Sequence, residues 1–372
     1  MRFLHTADWH IGKKLHDYSL VEEQLEAFSQ IKKIAQTEQV DAVVIAGDLY
    51  DRSLPSETAV TLVDQMLYEL NLKANLPLLV ISGNHDSAVR LATGSDWYKQ
   101  TDFYVHTKLS QAFESIELKD VQFFLLPYFE LQAARNYFDE EIKNITEALQ
   151  RIVALMQERF DPEKKHVLVA HFFVAGSLRT ASETSLEIGG LDAVPAEVFQ
   201  VFDHVALGHL HDKDASQAEH IKYSGSLLKY SIAEATREKG VWIVDTESKT
   251  TKWCALKPLH DIKLLKGTFA ELTAPKSFQS ITAETFTALE LTDEHPVIDA
   301  MSRLRQYYPR LLELKWQKQP NSRSKQRQKV KQQTPLELLA GFFEQTTGQE
   351  MTRLQADLAK ECLEKLRQKE DV

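Results

Sequence analysis

Five strand-like, mostly apolar runs in this chain are each followed by a short piece that carries Asp, Asn or His side chains. The runs are residues 2–6, 42–46, 78–81, 167–170 and 204–207. Runs of this length and composition fit strands that are buried on both faces, as in the parallel sheets of α/β proteins. Because the carboxyl ends of such strands meet at one edge of a sheet, we expect the five polar pieces to converge there.

The polar pieces contain metal-binding residue types at close spacing. They are Asp8-Trp9-His10, Gly47-Asp48, Gly83-Asn84-His85-Asp86, His171 and Gly208-His209-Leu210-His211. In an extended segment, side chains two residues apart point the same way, so Asp8 and His10 can meet one ion. A single Asp or His after a strand is more often a turn residue or a helix cap. Five agreeing pieces favour one dinuclear metal site instead.

A site of this kind predicts a reaction class. Two divalent ions that share a carboxylate, ~3.5–4 Å apart, form a clamp for in-line displacement at phosphorus. The proposed protein groups carry two negative charges, on Asp8 and Asp48, against four positive charges on the ions, so the site should attract an anionic substrate. We therefore predict hydrolysis of a phosphoester.

Composition narrows the class of protein further. The chain has 372 residues, enough for two or three domains, and 43% of them are apolar, as in ordinary globular proteins. No apolar run approaches the ~20 residues of a membrane span, and the first residues do not predict a secretory signal. Only Cys254 and Cys362 are present, too few for a disulfide framework. We expect a cytoplasmic protein without membrane contact.

Charge gives two opposed indications about nucleic acid. The formal net charge of −10 argues against such a partner, but residues 315–331 contain seven Lys or Arg and no acidic residue. Blocks of this kind are most often solvated linkers, although such charges also bind phosphate backbones. The same two interpretations apply to single basic residues that flank the polar pieces, which are Lys13, Lys14, Arg52, Arg90 and Arg179.

The order of predicted elements divides the chain into parts. Residues 1–257 alternate strands with helices at 20–36, 55–72 and 139–159, which predicts an α/β domain. Short strands after His211, at 221–223, 241–245 and 251–256, would form a second sheet, giving a β-sandwich flanked by helices. Residues 258–316 predict a small α+β unit, with strands at 262–265, 286–291 and 311–314 and a helix at 297–307.

The C-terminal region differs in composition. Residues 317–334 are rich in Gln, Lys and Ser and predict a flexible basic linker. In residues 335–372, apolar side chains recur at helical spacing on both sides of Gly348 and predict two short amphipathic helices. The apolar positions are Leu336, Leu339, Ala340, Phe343, Met351, Leu354, Leu358, Cys362 and Leu366. These helices either pack on their own domain or dock on a partner.

The order of the polar pieces resembles that of the calcineurin-like metallophosphoesterase family: D-x-H, G-D, G-N-H-D/E, H and G-H-x-H. The resemblance implies one metal ion on Asp8, His10, Asp48 and His211. It implies a second ion on Asp48, Asn84, His171 and His209, with Asp48 bridging. It also implies that His85 protonates the leaving oxygen and that Asp86 orients the His85 ring.

Longer stretches, at residues 6–13, 47–52, 83–87 and 223–231, are similar to the SbcD branch of that family, bacterial nuclease subunits that work with the ATPase SbcC. This resemblance implies a homodimer in a 2:2 complex with SbcC, a capping domain at 258–316 and SbcC-binding helices at 335–372. It implies two Mn²⁺ ions per protomer. The implied activity is 3′–5′ exonuclease cleavage of double-stranded DNA ends and endonuclease cleavage of hairpins, in DNA repair, replication and recombination.

Two details accompany this resemblance. Asp51 stands where archaeal and eukaryotic relatives often carry a His. The phosphate-positioning step of those relatives therefore does not carry over to this chain, whereas metal binding does. We expect dimerisation through helices at 55–72 and 90–100, with Leu62 and Met66 in the interface.

The residues alone are compatible with two other functions. A phosphodiesterase or phosphatase acting on small nucleotides or phosphoproteins would use the same metals, but it leaves the 258–316 unit, the basic block and the terminal helices unexplained. A non-catalytic DNA-end adaptor with vestigial metals is disfavoured by the complete set of Asp8, Asp48, Asn84 and His85. Comparing cleavage of hairpin DNA with cleavage of a chromogenic phosphodiester distinguishes a DNA nuclease from the small-substrate phosphodiesterase. A metal-dependence assay distinguishes a nuclease from the non-catalytic adaptor.

Overall fold

The apolar runs of the sequence lie in two β-sheets. The computed structural model describes residues 1–174, 193–216, 218–317, 334–347 and 350–370. The chain divides into two compact units, Met1–Lys315 and Trp316–Val372. Arg179 and most of the predicted basic linker lie outside the described residues. Across the described ranges, every helix is too short or too polar to cross a bilayer.

The first sheet has six strands. They are β1 (Arg2–Thr6), β4 (Ala42–Ala46), β5 (Leu78–Ile81), β6 (Phe103–His106), β12 (Gly240–Asp245) and β13 (Thr250–Ala255). Their order is β13-β12-β1-β4-β5-β6. The neighbouring strands β1, β4, β5 and β6 are parallel, whereas β12 is antiparallel to both β1 and β13. A separate two-stranded ribbon consists of β2 (Lys14–Leu15) and β3 (Tyr18–Ser19).

The second sheet has five strands. They are β7 (Ile116–Leu118), β8 (Val121–Leu126), β9 (Lys165–His171), β10 (His204–Gly208) and β11 (Ile221–Tyr223), in the order β11-β10-β9-β8-β7. The prediction that the strands after His211 build this sheet is wrong. Only β11 joins it, whereas β12 and β13 extend the first sheet because β12 pairs with β1, more than 230 residues away.

Side-chain alternation along the strands produces three apolar layers. Phe3 and Val44 of the first sheet and Phe123 and Val169 of the second belong to one buried cluster between the sheets, and the Phe3 and Phe123 rings are 5.4 Å apart. The outer face of each sheet packs on helices, the first on α1 (Val21–Thr37) and α2 (Glu57–Tyr68). The second packs on α5 (Leu131–Phe138) and α6 (Ile145–Gln157). The predicted α/β sandwich with outer helices is confirmed.

Local signals explain where helices begin and end. The Ser56 side chain accepts a hydrogen bond from the Ala59 N–H and caps α2, which continues into one π turn at Glu69–Lys73. The predicted helix at 139–159 begins only at Ile145, because the Asn144 side chain caps it. Two short helices, α3 (Ala88–Leu91) and α4 (Ser95–Tyr98), follow the third polar piece.

A three-stranded sheet follows the sandwich. It contains β14 (Ile262–Gly267), β15 (Phe286–Leu291) and β16 (Leu311–Trp316), in the order β14-β15-β16. Its helices are α7 (Phe269–Leu272), α8 (Pro275–Phe278) and α9 (Ala300–Leu304). The predicted helix at 297–307 is shorter than expected, since Asp299 before it has a left-handed φ of 53°.

Within residues 334–347 and 350–370, the second unit has two helices, here called the first tail helix (Pro335–Thr347) and the second tail helix (Arg353–Glu370). Both carry exposed large apolar side chains, which are Leu338, Leu339, Phe342, Leu354 and Leu358. A short helix pair of this kind has little capacity to bury apolar surface by itself.

Candidate metal centre

The five polar pieces converge where the carboxyl ends of strands from both sheets meet. Asp8 and His10 follow β1, Asp48 follows β4, and Asn84 to Asp86 follow β5. His171 ends β9, and His209 and His211 follow β10. The expected convergence is present, but it joins the edges of two sheets and not of one.

The backbone at this edge is strained. Asp8, His10 and Asp48 have left-handed φ values of 50°, 44° and 52°, and His209 has a φ of 90°. Such conformations cost of order 1–3 kcal/mol each and persist only where the surroundings enforce them. Here the Asp8 N–H donates to the Gly47 carbonyl and the His10 N–H to the Asp48 carbonyl, both at 3.0 Å. Strain concentrated in this way is typical of functional sites.

Glycines let the pieces approach each other closely. A Cβ atom on Gly83 would overlap the Asp48 carboxylate, and one on Gly208 would overlap the Ala46 carbonyl oxygen and lie 2.7 Å from His171 Nδ1. The glycines of the G-N-H-D and G-H-x-H pieces are therefore required by packing around the site.

One group of donor atoms comes from Asp8, His10 and His211, all buried, whose ligand atoms lie within 4.8 Å of one another. The Nε2 atoms of His10 and His211 face each other at 3.2 Å. Asp48 Oδ2 is 3.8 Å from His10 Nε2. Buried nitrogen and oxygen donors that converge in this manner suit a divalent cation.

A second group lies on the other side of Asp48. Asp48 Oδ2 is 3.3 Å from His171 Nε2, and Asn84 Oδ1 is 3.0 Å from both His171 Nε2 and His209 Nδ1. The other ring nitrogen of His171, Nδ1, donates to the Ala46 carbonyl at 2.8 Å, which leaves Nε2 to face the site. Asp48 Oδ2 thus lies near both His10 and His171, and Asp8 Oδ1 also lies 4.0 Å from His171 Nε2.

Electrostatics also fit cation binding. Burial raises the pKa of Asp8 to about 7, although the charges of His171 and His211 oppose this. Burial acts in the same direction on Asp48, but the charge and hydrogen bond of His171, with His10 and His85, hold the pKa of that carboxyl well below its usual range. Two buried carboxyl groups in one cluster are best ionised together beside positive charge. Divalent ions at these donor sets would supply that charge.

His85 and Asp86 are held by different partners from those expected. The His85 N–H donates to Asp48 Oδ1 at 2.8 Å, and His85 Nδ1 pairs with the Asp51 carbonyl oxygen at 2.9 Å. The Asp86 carboxylate instead accepts the backbone N–H groups of Gly83, Leu49 and Tyr50. The expectation that Asp86 orients the His85 ring is therefore wrong, and Asp86 fixes the turn that carries Asn84 and His85.

Other side chains near the site make contacts that sequence reasoning did not predict. The Asp51 carboxylate lies 3.8 Å from His10 Nδ1 and 2.7 Å from Lys13 Nζ. Gln24 Nε2 donates to the His10 carbonyl at 2.9 Å, and Tyr230 donates to the Trp9 carbonyl. Tyr230 lies within residues 223–231, a stretch noted only for its resemblance, and Gln24 is part of α1 and carried no signal.

The fold and the donor set define a class of protein, the metal-dependent phosphoesterase hydrolases. Residues 1–213 match the family model described as calcineurin-like phosphoesterase. Residues 258–347 match a model described as type 5 capsule protein repressor C-terminal domain. The chain belongs to the calcineurin-like phosphoesterase family and, within it, groups with the SbcD components of SbcCD nucleases.

Curated relatives support this grouping. The chain is 34% identical over 367 residues to the SbcD component of the SbcCD nuclease of Staphylococcus epidermidis, which covers 98% of both chains. It is 36% identical over 317 residues to the corresponding SbcD protein of Staphylococcus saprophyticus, covering 84% of both. A dimetal phosphatase from Danio rerio is a structural neighbour with a TM-score of 0.39 and 13% identity, covering 65% of this chain and 91% of that one.

Proposed function

We propose that this chain is the metal-dependent nuclease component of an SbcCD complex. It cleaves double-stranded DNA ends as a 3′–5′ exonuclease and hairpins as an endonuclease, in DNA repair, replication and recombination in the cytoplasm. The observation that carries the proposal is the convergence of seven ligand-type side chains where the edges of the two sheets meet, in a chain matched over 98% of its length by an SbcD protein.

The metal ligands remain as the resemblance assigns them. Asp8, His10, Asp48 and His211 would hold one ion, and Asp48, Asn84, His171 and His209 would hold the other. Two ions bound there, which we take to be Mn²⁺, would supply a clamp of positive charge on the reacting phosphate. Imidazole donors also suit zinc and iron, so elemental analysis of protein from the native host tests the choice of Mn²⁺.

His85 donates the proton to the leaving oxygen. Its ring is fixed on one side by the Asp51 carbonyl, and its backbone N–H donates to the Asp48 carboxylate, so the proton donor is held directly against the proposed bridging ligand. Two basic side chains near this turn are already engaged, Lys13 with Asp51 and Arg90 with the Ser53 carbonyl. Arg52 also lies 3.6 Å from the Asp51 carboxylate, but its side chain is 82% exposed, and we assign it to contact with DNA phosphates.

A substrate comparison tests the proposal. The purified chain is incubated with Mn²⁺ and either a DNA hairpin or a chromogenic phosphodiester, alone and with SbcC. We expect metal-dependent hairpin cleavage that His85→Gln removes. Hydrolysis of the chromogenic diester without any cleavage of DNA would instead favour the small-nucleotide phosphodiesterase, and DNA binding without hydrolysis would favour the adaptor.

We propose four parts for the chain: a nuclease domain at 1–257, a capping domain at 258–316, a basic linker at 317–334 and SbcC-binding helices at 335–372. The exposed Leu354 and Leu358 of the second tail helix support the last assignment, because amphipathic helices dock in partner grooves through such side chains. Deleting residues 334–372 should abolish SbcC binding and spare metal-dependent cleavage by the isolated chain. Retention of SbcC at full stoichiometry would contradict this assignment.

We also propose a homodimer in a 2:2 complex with SbcC. Met66, one of the two residues chosen from the sequence, is buried in the core of its own protomer, and Leu62 packs against that core, so neither is a suitable interface probe. Val89 and Trp97, near the third polar piece, are each 81% exposed. Trp97→Asp should therefore give folded monomers by light scattering, and an unchanged dimer would contradict this surface.

A further inference from the structure

The segment between β11 and β12 lies against the backbone of the metal centre. The Leu227 N–H donates to the Asp8 carbonyl at 3.3 Å, and the Ser226 N–H donates to the His211 carbonyl at 3.4 Å. Gly225 has a left-handed φ of 71°, and a Cβ there would lie 3.0 Å from the His211 carbonyl oxygen. This segment therefore contacts two of the pieces that carry metal ligands.

A buried ion pair lies within this segment. Glu234 is fully buried and Lys239 is nearly so, and Lys239 Nζ is 2.6 Å from Glu234 Oε2. Lys239 also donates to the Ser226 hydroxyl and to the His211 carbonyl oxygen, both at 2.7 Å. All three ammonium donors are thus used, and one of them holds the backbone of a candidate ligand.

The carboxylate of the same pair faces the His211 side chain. Glu234 Oε1 lies 3.7 Å from His211 Nδ1, whereas Nε2 of that ring faces His10 Nε2 in the centre. His171 has a comparable partner at shorter range, since its Nδ1 donates to the neutral Ala46 carbonyl at 2.8 Å. A histidine ligand commonly donates its second ring N–H to a carboxylate or carbonyl, which fixes the ring and its tautomer.

We propose that Glu234 is a positioning residue for His211, which orients the ring through Nδ1 so that Nε2 faces the metal. Lys239 fixes the positions of the Glu234 carboxylate and the His211 backbone relative to each other. This inference rests on the assignment of His211 as a metal ligand under the proposed function. In this proposal Glu234 acts through His211 and is not itself a metal ligand.

The first test measures Mn²⁺ affinity of the full chain by competition with a chromophoric chelator. Glu234→Gln keeps the shape of the side chain and removes its charge, so one of the two Mn²⁺ affinities should fall about 10- to 100-fold, the effect typical of such partners. At saturating Mn²⁺, hydrolysis of a chromogenic diester should recover, because Glu234 acts only through His211. Wild-type affinity in folded Glu234→Gln overturns the proposal.

The matched control is Glu69→Gln, because the Glu69 carboxylate accepts hydrogen bonds from Lys32 and Lys73 instead of facing a ligand. It should bind two Mn²⁺ with wild-type affinity. If wild-type protein itself binds no pair of Mn²⁺ ions, the proposed function fails. If wild type binds two and Glu234→Gln binds them equally well, only the positioning role fails.

A double variant separates positioning from a general role in folding. Glu234→Leu with Lys239→Met removes both charges together, and such apolar replacement of a buried pair is often neutral or stabilising. We expect a folded protein by circular dichroism with the same selective loss of one Mn²⁺ affinity. Normal affinity for both ions in the folded double variant would overturn the positioning role, and a lowered thermal stability with that normal affinity would show that the pair is structural only.

Discussion

The metal centre buries polar side chains, whereas the tail helices expose apolar ones. At the centre, polar residues such as Asp8, His171 and Glu234 are buried and held by fixed partners. In the tail helices, apolar residues such as Leu354 and Phe342 are exposed, at 82% and 64%. Burying a polar group costs free energy unless it is paired, and exposing a large apolar group leaves hydrophobic free energy unused.

The difference indicates where each region obtains its stability. The centre is organised by its own protomer, through strained backbone, close-packed glycines and buried hydrogen bonds, so its geometry exists before substrate arrives. The tail helices leave apolar area available for another surface. Four predictions test this comparison, from the largest expected effect to the smallest.

Replacing His85 should have the largest effect. General acid catalysis contributes about 10²–10⁴-fold, so His85→Gln should reduce hairpin cleavage by that factor. Two metal ions should remain bound by elemental analysis of the same sample. His10, Asp51 and His85 also form a donor group within 4.8 Å, so the loss of one ion in this variant would make His85 a ligand instead of an acid.

Acid should destabilise the sandwich. Burial lowers the pKa of His5 to about 3 and also that of His204 to about 3, the latter aided by the charges of His5, Lys222 and His220. Below an unfolded pKa of about 6.5, the unfolded chain binds more protons, so stability falls as the pH falls towards 3. At pH 5 each residue should cost about 2 kcal/mol of unfolding free energy.

Urea unfolding at pH 7.5 and pH 5 measures this effect. His204→Leu should reduce the difference between the two pH values by about 2 kcal/mol, whereas His16→Asn, at an exposed position, should leave it unchanged. An equal pH difference in wild type and His204→Leu would exclude His204 as the source.

A single charge on the tail should weaken the partner complex. Leu358 is 62% exposed, and residues that anchor an interface typically cost about 2 kcal/mol or more when removed. Leu358→Asp and Leu339→Asp should therefore reduce SbcC affinity by at least about 30-fold in a pull-down titration. Asp357→Asn, next to Leu358 in the sequence, is the matched control. Equal affinity in all variants would show that the tail does not dock through these side chains.

The smallest effect concerns two glycines. Gly341 has open space around it in the first tail helix, so Gly341→Ala should stabilise that helix by about 1 kcal/mol and slow its amide hydrogen exchange. Gly83→Ala should instead lower Mn²⁺ binding, because its Cβ overlaps Asp48. If both substitutions were tolerated equally, the metal centre would be less closely packed than the structure indicates.

Much of the centre was predictable because its information is local. Each ligand piece follows its own strand, and spacings such as Asp8-Trp9-His10 reflect the geometry of a few adjacent residues. The C-terminal helices were also predictable from spacing alone, since helical periodicity extends only over neighbouring turns. The proposed ligand roles themselves came from a resemblance.

Other features depend on residues that are distant in sequence. The position of β12 beside β1, the burial of Met66 and the hydrogen bonds of Asp86 were wrongly predicted, and the contact of Glu234 with His211 was not foreseen. Sequence determined which side chains follow which strand and which helix faces are apolar. Only the tertiary structure decided which strands pair and which buried groups face each other, because those choices depend on packing between segments whose sequence separation carries no local signal.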